Sequence, residues 1–176
     1  RAFISIDHVL AQHYEKKNQP EPAVRCLQHA LELYPLMGES ARKEAALIDS
    51  LAGIYFLLGR LYSKKREYDP AIEAFRKVLE LDPNRKSVFI EIGEAFAAKE
   101  MHVEAIEMYE KGMREVPEQA EVLRGKTVEC RKNLIKREPD NKAQLRALAA
   151  NLMDLRLFGE AIGTLQRYCE LSPNDL

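Results

Sequence analysis

The chain has 176 residues, 27 basic against 28 acidic, 46% apolar and 31% charged. That is enough to bury roughly 70% of its unfolded surface, and it excludes disordered, collagen-like and disulfide-scaffold classes. A formal net charge of −1 and a pI near 6.5 exclude a globally basic nucleic-acid binder.

No run approaches the roughly 18 uninterrupted apolar residues of a membrane span, and the opening segment lacks the apolar core of a secretion signal. Opening on Arg1, the sequence reads as a piece of a longer protein. Cys26, Cys130 and Cys169 are odd in number and widely spaced, which predicts unpaired thiols and a reducing, cytoplasmic compartment. His8, His13, His29 and His102 form no HExxH pair. Cys26 and His29, three apart, offer two metal ligands where a zinc site needs more, so a buried thiol beside a surface imidazole is the favoured reading. No metal or cofactor is expected.

The elements come as a repeat. In residues 4–37, Leu10, Ala11 and Tyr14 form the apolar stripe of a first helix, and Ala23, Val24 and Leu27 that of a second, closed by Pro35. Residues 38–51 interrupt the period. There Ala41, Ala45, Ile48, Ala52, Tyr55, Gly59 and Tyr62 recur at gaps of four and three, which predicts one extended helix over about 40–65, capped by Ser40, with Arg42, Lys43 and Glu44 overhanging into solvent. The pattern then returns in 52–85 with Leu58, Gly59, Tyr62, Ala71, Ile72, Phe75 and Pro83, and in 86–119 with Ile92, Gly93, Phe96, Ala105, Ile106, Tyr109 and Pro117.

A second insertion, 120–141, carries Leu123, Thr127, Cys130 and Leu134 at helical gaps. It predicts one single helix over about 120–138, ended by Pro139. Residues 142–175 close the pattern with Leu148, Ala149, Leu152, Ala161, Ile162, Leu165 and Pro173. Small Gly59 and Gly93 allow two helices to approach closely, at about 1 kcal/mol in helix propensity. Pro22 and Pro70 fall in the first turn of a second helix, where a missing N–H is harmless. A lone helix between hairpins is awkward: either 142–175 pairs irregularly with it, or it caps the array with a further module behind.

On these residues the sequence resembles the tetratricopeptide repeat family, whose 34-residue unit reads aromatic, Leu-Gly, Tyr, then Ala, Phe and a terminal Pro. The match is fullest over Ala52–Arg85, with Tyr55, Leu58-Gly59, Tyr62, Ala71, Phe75 and Pro83 in place. The resemblance implies an all-α, right-handed superhelical solenoid of antiparallel helix pairs, a single domain over 1–176 with units 4–37, 52–85, 86–119 and 142–175. It also implies that a partner lies on the concave face, contacting the second, fifth, ninth, twelfth and thirteenth positions of each unit.

Carried onto this chain, those positions include His8, Gln12, Phe56, Arg60, Lys64, Ile90, Glu94 and Arg146. The family's clamp for a chaperone tail's terminal carboxylate is missing, since its slots hold His8, Gln12, Leu57, Ser87 and Glu91. Charge is uneven as well: Lys86–Gln119 has four basic and eight acidic residues, Ala120–Arg146 eight basic and four acidic. Two readings stand open. The charges are solvated faces offering each other weak ion pairs, or Arg124, Arg131, Lys132 and Arg146 join Arg60 and Lys64 in a groove for an acidic or phosphorylated segment.

Nucleic acid fits poorly, because the aromatics occupy expected core positions. No P-loop, GxGxxG or GxSxG motif is present. The expectation is therefore a non-catalytic interaction module or scaffold that binds a protein or peptide and does not insert into a membrane. Two alternatives stand beside it: a regulatory or substrate-recruiting domain of a larger enzyme, and a self-associating structural subunit.

Overall fold

The computed structural model describes residues 2–39 and 44–172, and among these the regular structure is wholly helical. Nine α-helices follow in order: α1 (Ala2–Lys16), α2 (Pro20–Leu33), α3 (Ala45–Lys64), α4 (Tyr68–Leu81), α5 (Val88–Ala98), α6 (His102–Glu115), α7 (Ala120–Arg137), α8 (Lys142–Asp154) and α9 (Phe158–Leu171). Short 3₁₀ turns at Tyr34–Leu36 and Pro117–Gln119 each carry one of the closing prolines. Pro173 lies outside the described residues. The chain divides into two compact units, Arg1–Ala95 and Phe96–Leu176.

In the first unit α1 pairs with α2 and α3 with α4, while α3 also packs against α1 and α2. Its core joins Ile4 and Ala11 of α1, Ala23, Leu27 and Ala30 of α2, and Leu47, Ile54, Leu58 and Leu61 of α3. By length and composition α3 could cross a membrane. Its leucines are instead taken up by neighbouring helices, and Asp49 and Arg60 interrupt it. In the second unit α6 pairs with α7, α7 with α8, and α8 with α9. Val128, Leu148, Leu152 and Ala161 form the core between α7, α8 and α9.

The four anchor alanines behave alike: Ala23, Ala71 and Ala105 have no exposed surface and Ala161 has 2%. So do the turns inside each hairpin. Asn18, Arg66, Glu100 and Arg156, the fifteenth residue of each unit, take φ between 56° and 61°. The amide of the next residue then donates five residues back, Gln19 to Tyr14, Glu67 to Tyr62, Met101 to Phe96 and Leu157 to Leu152, each at 2.9–3.0 Å. This is the Schellman closure of a helix C-terminus, built four times without a glycine. A side chain in that conformation costs about 1–2 kcal/mol, partly offset on substitution by the looser unfolded chain that glycine brings. Arg66→Gly is therefore expected to raise the unfolding free energy by about 0.5 kcal/mol in urea denaturation, and Arg66→Ala to give no gain.

The extended helix starts later than its periodicity indicates. Glu44 is extended (φ −73°, ψ 130°) and α3 begins at Ala45, so it spans 20 residues. Ser40, Ala41, Arg42 and Lys43 lie outside the described residues. The buried stripe also differs, because α3 is packed on more than one side. Leu47, Leu51, Ile54, Leu58 and Leu61 are 6% exposed or less, whereas Ala45 is exposed and Ile48 half-buried.

The single helix is α7, and α8 continues the array from it. Asn141 caps α8 by accepting from the Gln144 amide through Oδ1 at 3.1 Å. The unit 142–175 thus packs onto α7 through its first helix.

Candidate partner-binding surface

In the first unit His8 and Glu15 of α1, the fifth and twelfth positions of their repeat, meet Gly53, Arg60 and Lys64 of α3, the second, ninth and thirteenth of theirs. A Cβ added to Gly53 would stand 2.8 Å from His8 Cε1, so the imidazole lies directly on the α3 backbone. Gln12 Nε2 and His8 Nε2 are 3.1 Å apart. One turn further on, Glu15 Oε1 lies 3.2 Å from Arg60 Nη2 and 3.4 Å from Lys64 Nζ. The Glu15 side chain is 15% exposed while those of Arg60 and Lys64 are 43% and 48% exposed. Two outward cations share one recessed carboxylate, leaving a local positive excess. Beside them a depression of about 260 Å³ is lined by Glu15, Asn18, Gln19, Pro20, Leu61, Lys64 and Lys65.

His8 also lies close to the ion pair of Arg85 Nη2 with Asp49 Oδ1 at 3.0 Å. Burial holds the His8 imidazole below its ordinary value; the Asp49 carboxylate opposes that shift and the Arg85 guanidinium adds to it. The sign of the pH effect follows. Above about 6.5 His8 is neutral in both states; as pH falls, the unfolded chain takes up the proton first, and stability is lost. Wild type should therefore lose more stability than His8→Gln between about pH 7.5 and about pH 5.5, measured as urea midpoints.

Phe56 is half-buried, edge-on to the enclosed ring of Phe75 with centroids 5.9 Å apart, so it is partly a core residue. Ile90 is half-buried on α5 and Glu94 exposed.

The basic residues of the second unit are disposed differently. Arg131 is 9% exposed. Its guanidinium donates to Glu110 Oε1 of α6 at 2.7 Å, and to Gln144 Oε1 and Asn151 Oδ1 of α8 at 2.7 and 3.1 Å. Lys132 donates to Glu160 Oε2 of α9 at 2.5 Å. Arg124 Nε lies 3.1 Å from Asp154 Oδ2, off the hydrogen-bonding direction, an ion pair only. Arg137 meets Glu100. These cations tie α7 to its neighbours, which gives the charge contrast between 86–119 and 120–146 a structural role. Arg146 is exposed on α8.

His29 Nδ1 is 2.8 Å from Asp7 Oδ2, so the partner of that imidazole is a carboxylate and not the Cys26 thiol. Burial raises the Cys26 and Cys130 thiols above their ordinary range. What the sequence reading missed is the Glu15 bridge and the Arg131 clamp. Glu15 is a twelfth-position residue, and pairing its charge against the ninth and thirteenth positions of the next unit would have found the first.

A hairpin repeated around buried alanines, with one left-handed turn at a fixed place, defines a helical-repeat protein. The tetratricopeptide repeat family model matches residues 8–35 and 52–85. Three solved structures share the fold. The C-terminal TPR-containing domain of a Plasmodium falciparum protein described as FK506-binding is 21% identical, covering 77% of this chain and 91% of its own, with a TM-score of 0.66. MamA from Desulfovibrio magneticus RS-1 is 16% identical, covering 99% and 98%, with a TM-score of 0.56. YrrB, described as a TPR protein with an unusual peptide-binding site, is 17% identical, covering 96% and 86%, with a TM-score of 0.56. No curated protein matches the sequence. The family model thus matches within the units 4–37 and 52–85, and the chain shares the helical-repeat fold of tetratricopeptide-repeat structures.

Proposed function

We propose that the first unit binds an extended acidic peptide segment along the paired faces of α1 and α3. The observation that carries this reading is the pair of outward cations, Arg60 and Lys64, sharing the single recessed carboxylate of Glu15. An incoming carboxylate or phosphate would find charge already gathered there and only partly neutralised. His8 and Gln12 supply polar partners along the same strip, and the exposed parts of Phe56 and Ile90 supply apolar contact. A peptide-binding site described for YrrB supports peptide as the partner class.

Binding in this way needs no catalytic step and no cofactor, so the module acts as an adaptor or scaffold. Three free cysteines are in keeping with a reducing, cytoplasmic setting.

The test is selection of peptides from a random display library, followed by affinity measurement of the enriched peptide. Enrichment of acidic sequences is expected, with a loss of about tenfold or more for Arg60→Glu/Lys64→Glu at unchanged helicity. Enrichment of neutral or basic sequences, or equal affinity for the variant, would remove the proposal.

A further inference from the structure

The first and last described hairpins expose residues at positions that the other units bury. At the third, sixth, seventh and tenth positions of the unit 52–85 stand Ile54, Leu57, Leu58 and Leu61, which are 0%, 5%, 3% and 1% exposed and belong to the core shared with α1 and α2. The same positions of the unit 4–37 are Ile6, Val9, Leu10 and His13. There Ile6 is 58%, Val9 65% and Leu10 38% exposed. They line a shallow apolar trough of about 580 Å³ along α1. So α1 carries the apolar surface with which a first helix sits on a preceding hairpin, and nothing among the described residues sits beneath it.

The last hairpin shows the converse. Val24 and Leu27 of α2 are 8% and 0% exposed, Ile72 and Phe75 of α4 are 4% and 0%, and Ile106 and Tyr109 of α6 are 6% and 2%. The corresponding residues of α9 are Ile162 and Leu165, which are 57% and 37% exposed, with Phe158 at 57% beside them. Within the first unit, Val24 and Leu27 share one core with Ile54, Leu57 and Leu58. The exposed face of α1 therefore matches, position for position, the kind of surface that α9 leaves open.

We infer that the chain associates head to tail with a second copy of itself, the α1 face of one molecule seating on the α8–α9 hairpin of the next. The occupant is a second copy because both halves of the contact are carried by the same chain in one repeat register. Exposed apolar surface of this kind favours association. A contact between two different surfaces leaves one face of each copy free after pairing, so further copies add on, into a ring or an open chain. This surface is separate from the inner strip of α1 and α3, and its test is independent of peptide binding.

Sedimentation of the 176-residue chain from about 1 μM to about 1 mM should give a weight-average mass that climbs from 20.2 kDa without levelling at a dimer. Ile6→Glu/Val9→Glu and Phe158→Glu/Ile162→Glu, all at exposed positions, should each stay at the monomer mass with unchanged helicity. Mixing the two variants should restore one contact, the intact α9 face of the first taking the intact α1 face of the second, and give a capped pair of twice the monomer mass. A wild-type chain that stays monomeric throughout would overturn the inference. Loss of association in the α1 variant alone, which marks a symmetric α1–α1 contact, would also overturn it.

Discussion

Replacing Arg131 by Ala is expected to lower the unfolding free energy of the second unit by about 3 kcal/mol. The guanidinium is the polar centre on which α6, α7 and α8 converge, with a side chain only 10% exposed. Truncation strands Gln144 Oε1 and Asn151 Oδ1 in partly buried positions, at about 1 kcal/mol or more each, and removes the packing of the aliphatic stem. Glu110 contributes less, since it is 40% exposed and water can replace its partner. Lys at this position keeps the charge but not the planar fork that reaches three acceptors, so Arg131→Lys should lose about 2 kcal/mol. Guanidinium unfolding, with hydrogen exchange to read the α7 and α8 amides, checks this. A loss under about 1 kcal/mol for Arg131→Ala would return the residue to the class of weak surface pairs.

Gly59→Ala carries the second large effect. An added Cβ would lie 2.5 Å from Phe75 Cε1 and 2.7 Å from Cδ1 and Cζ. The Phe75 ring has no exposed surface and abuts Phe56, so it has nowhere to move. Overpacking of about 3 kcal/mol set against a propensity gain of about 1 leaves a net loss of about 2 kcal/mol. Shortening the ring's reach should relieve it: Phe75→Leu should cost less in the Gly59→Ala background than in wild type, a coupling that a double-mutant cycle reads directly. Gly53→Ala is the control. Its Cβ would meet the tip of half-buried His8, which can rotate away, so its stability should change little.

Legibility in the sequence followed the packing. The hairpins could be read because small, buried Ala23, Ala71, Ala105 and Ala161 recur in one register, and the prolines punctuate each pair. Gly59 could be read as a close approach for the same reason. The start of α3 could not: Ala41 and Ala45 continue an apolar stripe, and only the extended backbone of Glu44 ends it. The left-handed turns were hidden because Asn18, Arg66, Glu100 and Arg156 share a conformation without sharing chemistry.

The cations divide along the same line. Period and composition place Arg60, Lys64, Arg124, Arg131, Lys132 and Arg146 on helix surfaces, but carry no information on which neighbour each one meets. Tertiary pairing consumes Arg131 entirely and ties down Arg124 and Lys132, whereas Glu15 gathers Arg60 and Lys64 without neutralising both.

The strip on α1 and α3 is tested most directly by amide chemical-shift mapping of the ¹⁵N-labelled chain titrated with the enriched acidic peptide. Perturbations should concentrate on Gln12, Phe56, Arg60 and Lys64, and vanish in Arg60→Glu/Lys64→Glu. Perturbations confined to α2 and α4, with the α1 and α3 signals unmoved, would contradict it.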